Sequence, residues 1–275
     1  RKITALASAL FLSFGLFAQE LPMPSPSASV TQRVGLTDIT VDYSRPGVKA
    51  RPIFGELVPY NELWRTGANK ATKVTVSTDI MLGDQTLKAG SYSLFTIPTE
   101  KEWTIIFNKD TELWGTGGYT QRNDALRMRI ESERGEFVER FRISFEDIED
   151  DGATMIIAWS KTVVKIPIKV ESDKQSEENI QKALGDASRA YRSAAEFYSK
   201  KGDHEKALSY IDQSLAMSDA WYSNWVKAEI LAASGDKKAA KKQGEKAIEM
   251  GEKFYSDRSQ PFTYKDGLMK TMASW

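Results

Sequence analysis

Three arginines lie in or beside one long segment of low periodicity, residues 45–71. They are Arg45, Arg51 and Arg65. A guanidinium group offers a planar fork of N–H donors, which suits bidentate contact with a carboxylate, a phosphate or backbone carbonyls. Two interpretations are open: the arginines form a pocket for an anion or a sugar acid, or they hold an irregular loop by donating to its carbonyls. The length of the segment favours the second interpretation, under which Arg65→Ala lowers stability more than it alters binding.

Three tryptophans near the same segment form the second group of interest. Trp64, Trp103 and Trp114 offer flat apolar faces that suit either a glycan platform or a core. Trp103 stands in an alternating pattern, which favours the core, whereas Trp114 is set among glycines in WGTGG and is the best candidate for an exposed ring. The block that contains Trp64 ends at the polar residue Asn69. The predicted ligand-binding residues are therefore Arg45, Arg51, Trp64, Arg65, Asn69 and Trp114.

The chain has no cysteine and one histidine, which excludes thiol nucleophiles, disulfides, cysteine-based zinc sites and multi-histidine metal sites. Asp147–Gly152 resembles the start of a calcium loop, but the twelfth position is Ala158, where such a loop needs a bidentate glutamate. His204 stands alone at the start of a predicted helix, and the glycines of residues 115–118 lack the spacing of a phosphate-binding loop. We therefore predict no catalytic residue, no metal and no cofactor.

Lysine plus arginine and aspartate plus glutamate each number 38, so the formal net charge is zero. This balance disfavours a nucleic-acid binder driven by bulk positive charge. The favoured function is a non-catalytic binding or interaction protein, whose small ligand is an anion or a glycan. Two alternatives stay open: a carbohydrate-active enzyme that uses paired carboxylates, with Asp42 and Glu62 as candidates, or a structural protein of the cell envelope.

The first residues have the pattern of a secretory signal, because Arg1 and Lys2 precede an apolar run at 3–17 that small and polar residues follow. We predict a signal peptide over residues 1–19 and then a poorly ordered lead-in over 20–27, which is rich in proline and serine. The apolar run is short for a membrane span, and no second one follows. Export without cysteine suits the bacterial periplasm.

Residues 28–171 alternate apolar and polar side chains over short runs, which indicates β-strands. Glycine, proline, asparagine and aspartate separate the runs and no long amphipathic helix intervenes, so we predict an all-β sandwich or barrel. The long connection at 45–71 is the exception. The predicted strands are near 28–34, 37–43, 72–78, 91–97, 102–108, 124–130, 139–146, 153–160 and 163–170, with a weaker one at 84–88.

After a predicted solvated linker at 172–178 the period changes to about 3.6 residues, which indicates helices. We predict helices near 179–200, 204–217, 220–234 and 237–254, and a tail at 257–275. Gly202-Asp203 recurs as Gly235-Asp236, and the small and apolar residues behind each pair recur at the same offset of 33. This region, residues 179–256, resembles about two tetratricopeptide repeats, whose period is about 34. The resemblance implies an all-α repeat domain that docks another envelope protein or a peptide; a simple bundle of helical hairpins is the alternative.

Several segments of the β region carry uncommon residues in a fixed order. They are DYSRP at 42–46, RPIFG at 51–55, LWRTGAN at 63–69, AGSYSLFTIP at 89–98, EWTIIFN at 102–108 and LWG at 113–115. Together they resemble the bacterial family known as domain of unknown function 2911 (DUF2911), over about residues 24–171. The resemblance implies no activity and no catalytic residue that carries over to this chain. It implies an exported β domain followed by helical repeats, an architecture typical of the Bacteroidetes lineage.

Overall fold

The structure is a computed structural model that describes residues 22–275. The predicted signal peptide, residues 1–19, lies outside the described residues. The chain divides into two compact units after Ser172. The first unit consists of strands and the second of helices, which confirms the predicted fold class of a β domain followed by an α-helical domain.

The strands of the first unit form one antiparallel sheet. Their bounds are β1 Ser27–Val34, β2 Thr37–Ser44, β3 Thr72–Val76, β4 Ile80–Leu82, β5 Gln85–Leu87, β6 Gly90–Pro98, β7 Glu102–Asn108, β8 Asp124–Glu146 and β9 Gly152–Lys169. Their order across the sheet is β1-β2-β3-β6-β7-β8-β9-β4-β5. In β2, buried Ile39, Val41 and Tyr43 alternate with more exposed residues, so each strand separates a core face from an outer face.

The strands β8 and β9 are longer than the sequence predicts. The predicted strands at 124–130 and 139–146 are one continuous strand, and so are those at 153–160 and 163–170. None of residues 131–140 is buried, so this part of β8 shows no hydrophobic alternation. It still pairs with β9 through the backbone, with two irregularities of register on either side of Val138.

The sheet closes on itself around one core. The hydroxyl of Tyr43 in β2 donates to the carbonyl of Ile143 in β8 and accepts from the N–H of the same residue, at 3.1 Å each. Just beyond β2, the N–H of Val48 donates to the backbone carbonyl of Glu139 in β8 at 2.8 Å. The N–H of Phe141 in β8 donates to the backbone carbonyl of Pro46 at 2.9 Å. These bonds join strands that lie far apart in the sheet order, as in a sandwich.

The long connection at 45–71 contributes to this core. Phe54, Trp64, Trp103, Phe141 and Trp159 form an aromatic cluster, with ring centroids between 4.9 and 6.2 Å apart in the contacting pairs. Trp64 contacts all four of the other rings. Its indole N–H donates to the carbonyl of Gly67 at 3.0 Å, which ties the connection to the core at this point.

A smaller apolar cluster, here called the outer cluster, lies on the opposite face of β6 and β7. Its buried members are Ala71, Phe95 and Ile106, and Leu63, Ile97, Leu113 and Tyr119 pack against them. The end of the connection at 45–71 and the loop at 109–123 therefore cover part of the outer face. The remaining outer face, on β1, β2 and β3, is polar.

The last residues of the predicted lead-in at 20–27 are held by hydrogen bonds to their backbone carbonyls, and β1 begins at Ser27. The carbonyl of Pro24 accepts a hydrogen bond from Arg140 at 2.9 Å, and that of Pro26 accepts from the N–H of Arg45 at 2.8 Å. Composition does not reveal such contacts, because the acceptors are backbone carbonyls that every residue has.

The helices of the second unit are α1 Ser172–Lys200, α2 His204–Met217, α3 Trp221–Ala233, α4 Lys237–Ser256 and α5 Lys265–Ala273. The predicted linker at 172–178 is the start of α1, because its lysine, glutamine and glutamate residues are good helix formers that continue the helix without apolar side chains. The predicted tail at 257–275 contains α5, which packs on α4 where Gly244 leaves room for Met272, and Gly251 of α4 leaves room for Phe262 just before α5. None of the helices in residues 22–275 is long and apolar enough to cross a membrane.

The start of α2 and the start of α4 are built alike, 33 residues apart. Asp203 caps α2 by accepting from the N–H of Lys206, and Asp236 caps α4 by accepting from the N–H of Ala239. The glycine before each aspartate has a positive φ, +80° at Gly202 and +96° at Gly235. The offset in the sequence thus corresponds to a repeated local structure.

We expect Asp203→Ala to lower the free energy of unfolding of the helical unit by about 1 kcal/mol, because the N–H of Lys206 at the start of α2 loses its side-chain acceptor. Urea denaturation followed by far-UV circular dichroism measures this. Asp212→Ala is the control, since Asp212 lies within α2 and forms an exposed ion pair with Lys227, which contributes little. An equal loss in both variants would contradict the capping role.

Candidate functional site

A groove lies on the outer face of β1, β2 and β3 in the β unit, with a volume of about 530 Å³. It is lined by Ser27, Ala28, Ser29, Asp42, Tyr43, Ser44, Asn69, Lys70, Ala71, Lys73, Thr111 and Glu112. The floor comes from the three strands. One wall comes from residues 69–71, and residues 111–112 continue it. We call this site the Asp42 groove.

The floor of the Asp42 groove carries opposite charges side by side. In the sheet register Asp42 of β2 stands opposite Ser29 of β1 on one side and opposite Lys73 of β3 on the other. Directly opposed residues have their side chains on the same face, within reach of a common ligand. Within the described residues, neither Asp42 nor Lys73 forms a side-chain hydrogen bond or an ion pair with another residue. A carboxylate and an ammonium group are thus both available at the floor.

The wall is held by its own backbone and by one side chain. The N–H of Ala71 donates to the carbonyl of Leu113 at 3.0 Å. Asn69 has φ +62°, a conformation that asparagine tolerates better than most residues. Its amide donates to the carbonyl of Ser25 and to the hydroxyl of Ser44, at 3.2 Å each. Asn69 therefore fixes the wall against the start of β1 and the end of β2.

Lys70 and Glu112 form an ion pair at the top of the wall, at 3.3 Å, with exposed fractions of 64% and 73%. Lys70 also forms an isolated antiparallel bridge with Trp114. Opposed side chains in such a bridge lie on the same side, so the indole of Trp114 stands beside Lys70 at the rim. The ring is 66% exposed. Trp114 does not itself line the groove, but its exposed ring lies next to the charged wall.

The loop at 109–123, which carries Glu112 and Trp114, is anchored to β7 and β8. The amide of Asn108 donates to the carbonyl of Thr120 at 3.1 Å and to Asp124 at 2.8 Å, and the hydroxyl of Tyr119 donates to Asp124 at 2.8 Å. Burial and this hydrogen bond raise the pKa of Tyr119 to about 12. The phenol thus stays protonated and keeps the loop in place at physiological pH.

The predicted arginines separate into two groups. Arg45 donates from Nε to the carbonyl of Phe141 at 3.0 Å. Arg51 donates to the carbonyls of Val48 at 3.1 Å and Gly47 at 2.7 Å. Both side chains hold the long connection through backbone carbonyls. Among the described residues Arg65 makes no such contact, and its Nε is buried without a hydrogen-bond partner, so the loop-holding interpretation is not supported for Arg65.

The two predicted tryptophans also separate. Trp64 is only 7% exposed and lies at the centre of the core, so its ring offers no platform, whereas Trp114 is exposed at the rim. Of the carboxylates considered for glycoside hydrolysis, Asp42 lines the groove and Glu62 does not. Within the described residues there is no cluster of three histidine, aspartate or glutamate side chains that could hold a metal ion.

Sequence reasoning missed Lys70, Lys73 and Glu112 as members of the site. Alternation along β3 does place Lys73 on the outer face. Its position beside Asp42, however, follows from the strand pairing, and Glu112 reaches the wall only because a distant loop returns to it. No local pattern reports such contacts.

A family model described as "Protein of unknown function (DUF2911)" matches residues 25–168, just over half of the chain. The predicted resemblance of the β region to this family is confirmed. No curated protein and no solved structure matches the chain.

Proposed function

Because the chain belongs to the DUF2911 family, whose description assigns no activity, we propose from the geometry of the Asp42 groove that it is a non-catalytic binding protein. Its β unit holds a polar ligand of the glycan class, and its helical unit docks another protein. The observation that carries the proposal is the pair Asp42 and Lys73, which stand opposite each other on the groove floor and have no side-chain partner in residues 22–275.

The chemistry of the groove suits a molecule with many hydroxyl groups. A hydroxyl both donates and accepts hydrogen bonds, so neighbouring hydroxyls of one sugar donate to the Asp42 carboxylate and accept from the Lys73 ammonium. Ser29 and Ser44 add hydroxyls beside them, and the exposed ring of Trp114 offers a face for the apolar side of a sugar. Acidic and basic groups are balanced in the lining, which supports an uncharged ligand at this place.

The same groove gives little support to hydrolysis. Glycoside hydrolysis needs a second carboxyl group that stays protonated, usually in an apolar pocket. The second carboxylate of the groove, Glu112, is 73% exposed and is ion-paired with Lys70. Binding is therefore the better supported function.

We expect Asp42→Asn and Lys73→Met each to weaken saccharide binding at least about tenfold, since each removes a charge-assisted hydrogen bond. Isothermal titration of the full chain with cellobiose, maltose, lactose and N,N′-diacetylchitobiose measures this. Asp38→Asn is the matched control, because Asp38 lies on the same face of β2 but is paired with Arg33 outside the groove. Absence of binding by every saccharide, or equal binding by Asp42→Asn and the unaltered chain, would overturn the proposal.

Export to the periplasm is part of the proposal. It is supported by the signal-like pattern of residues 1–19 and by the absence of cysteine from the chain. An envelope location would bring the groove into contact with glycans. Fractionation of cells that express the full-length gene, with an antibody against the helical unit, tests the location.

For the helical unit we propose a pair of tetratricopeptide-like repeats that bind a peptide or another envelope protein. The support is the repeated local structure at an offset of 33: Ala207 and Ala240 are both fully buried, as are Ser214 and Ala247. Small residues at these positions let paired helices approach closely, as in stacked helical repeats.

A further inference from the structure

The segment from Trp64 to Thr72 has an unusual backbone. Thr66 has φ +54°, Gly67 φ +152° and Asn69 φ +62°. A left-handed conformation is costly for a β-branched residue such as Thr66, by about 1–3 kcal/mol, and strain of this kind concentrates at functional sites. The strained backbone at Thr66 adjoins Arg65, whose side chain this segment positions.

Hydrogen bonds hold the strained conformation. Trp64 and Thr96 exchange two backbone hydrogen bonds of 2.8 Å. The hydroxyl of Thr66 contacts that of Thr96 at 3.1 Å, and the hydroxyl of Thr72 donates to the carbonyl of Thr66 at 2.6 Å. The N–H of Thr72 donates to the carbonyl of Arg65 at 3.2 Å. The backbone on both sides of Arg65 is thus fixed by hydrogen bonds to β6 and to the start of β3.

The side chain of Arg65 lies away from the main core. Trp64 points into that core, while its neighbour Leu63 packs on the outer cluster with Phe95. Because side chains alternate along an extended segment, Arg65 falls on the outer face, as Leu63 does. It is not among the residues that line the Asp42 groove.

The guanidinium group of Arg65 has no partner within the described residues. Its Nε–H is buried and donates to no acceptor, and no residue accepts a hydrogen bond from its two Nη atoms. Of the guanidinium nitrogens only Nε is both buried and without a partner, so the two Nη atoms reach solvent. Arg45 and Arg51, in contrast, donate to backbone carbonyls.

Burial alone lowers the pKa of Arg65, and no neighbouring carboxylate counteracts it. A guanidinium stays protonated in proteins, so the group is a partly desolvated charge without compensation. Attraction for an anion is stronger in such a setting than in open water. A purely structural arginine would have acceptors, as an unpaired N–H in a buried position is destabilising.

We infer that the Arg65 guanidinium is an oxyanion-binding site, which receives a carboxylate, phosphate or sulfate group end-on at its two Nη atoms from the outer face of the β unit. This site goes beyond the proposed glycan groove and rests on different residues. The two N–H donors of the fork match a pair of oxygens on one anion.

The test is thermal unfolding of the full chain in potassium phosphate, sodium sulfate or sodium D-glucuronate, with D-glucose as the uncharged comparison and with ionic strength held constant by sodium chloride. We expect an oxyanion to raise the Tm of the β unit by about 2–4 °C at concentrations well above its Kd. Any effect of glucose on the Tm should be the same in the unaltered chain and in a variant that lacks Arg65. A response to glucuronate alone identifies a carboxylate ligand, and a response to phosphate or sulfate identifies a tetrahedral one.

Arg65→Gln should abolish this rise, and without anion it should unfold at the same temperature as the unaltered chain or higher, because a desolvated charge is removed. Arg51→Gln is the matched control: it should keep the rise and unfold at a lower temperature, since loop carbonyls lose their donor. Arg65→Lys, which keeps the charge but not the fork, should bind the oxyanion several-fold more weakly.

Three results would overturn the inference. They are no rise with any oxyanion, a rise that persists in Arg65→Gln, and a loss of stability in Arg65→Gln and Arg65→Lys as large as that in Arg51→Gln. Failure of the saccharide titration leaves this test unaffected, because Asp42 and Lys73 are unchanged in all three variants.

Discussion

Trp64→Ala should lower the free energy of unfolding of the β unit by about 3–5 kcal/mol. Trp64 contacts Phe54, Trp103, Phe141 and Trp159, so alanine leaves a cavity at the centre of the aromatic cluster. The substitution also removes the indole N–H that donates to Gly67. Chemical denaturation followed by tryptophan fluorescence and by far-UV circular dichroism measures the change.

Trp114→Ala is the control for this prediction. Its ring is 66% exposed at the rim of the groove, and a surface substitution of this kind changes stability by less than about 0.5 kcal/mol. Trp114→Ala should instead weaken saccharide binding. A loss of stability as large as that of Trp64→Ala would mean that the loop at 109–123 depends on this ring, contrary to its exposure.

Tyr43→Phe should lower the free energy of unfolding by about 2–3 kcal/mol. The hydroxyl of Tyr43 satisfies both the N–H and the carbonyl of Ile143 inside the core, and phenylalanine leaves two buried backbone groups without partners, each with a penalty of about 1–3 kcal/mol. This hydroxyl connects β2 to β8, so its removal weakens the contact that closes the sheet. Urea denaturation of the unaltered chain and of the Tyr43→Phe variant, run in parallel, measures this loss of stability.

Tyr92→Phe is the matched control, since the hydroxyl of Tyr92 donates only to the carbonyl of Lys88 near the surface, at 2.8 Å. Water can replace that donor, so the expected loss is below about 1 kcal/mol. If Tyr43→Phe and Tyr92→Phe were equally stable, the contact between Tyr43 and Ile143 would not contribute to closure.

The long connection at 45–71 serves both the fold and the candidate sites. Phe54 and Trp64 fill the core, and Arg45 and Arg51 hold the backbone of the connection. Its last residues supply Asn69 to the Asp42 groove. A substitution in this connection therefore needs a stability measurement beside every binding measurement.

The helices are the part of the fold that the sequence predicts best. The helix predicted at 204–217 has the bounds of α2, and those predicted at 220–234 and 237–254 differ from α3 and α4 by no more than two residues at either end. Helical hydrogen bonds and caps are local, so Asp203 and Asp236 mark their helix starts in the sequence itself. The sequence does not show the full lengths of β8 and β9, because the exposed part of β8 depends on pairing with β9.

The candidate sites show where local reasoning ends. Residue type and setting single out Asn69 and Trp114 in the sequence; Asn69 lines the Asp42 groove, and Trp114 is bridged to Lys70 of its wall. Lys73 was not, because it reaches Asp42 only through the pairing of β2 with β3. Arg51 and Arg65 are equivalent as sequence signals, but one donates to carbonyls and the other does not.

The amino-acid sequence by itself determined the change from strands to helices, the repeated helix starts and the membership of the DUF2911 family. Periodicity, capping residues and motif order are properties of neighbouring residues, and a sequence displays them directly. Only the tertiary structure decided which tryptophan is buried, which arginine is left without a partner and which charges share the groove. These outcomes depend on strand order, register and the return of distant loops, which arise from contacts between residues far apart in the chain.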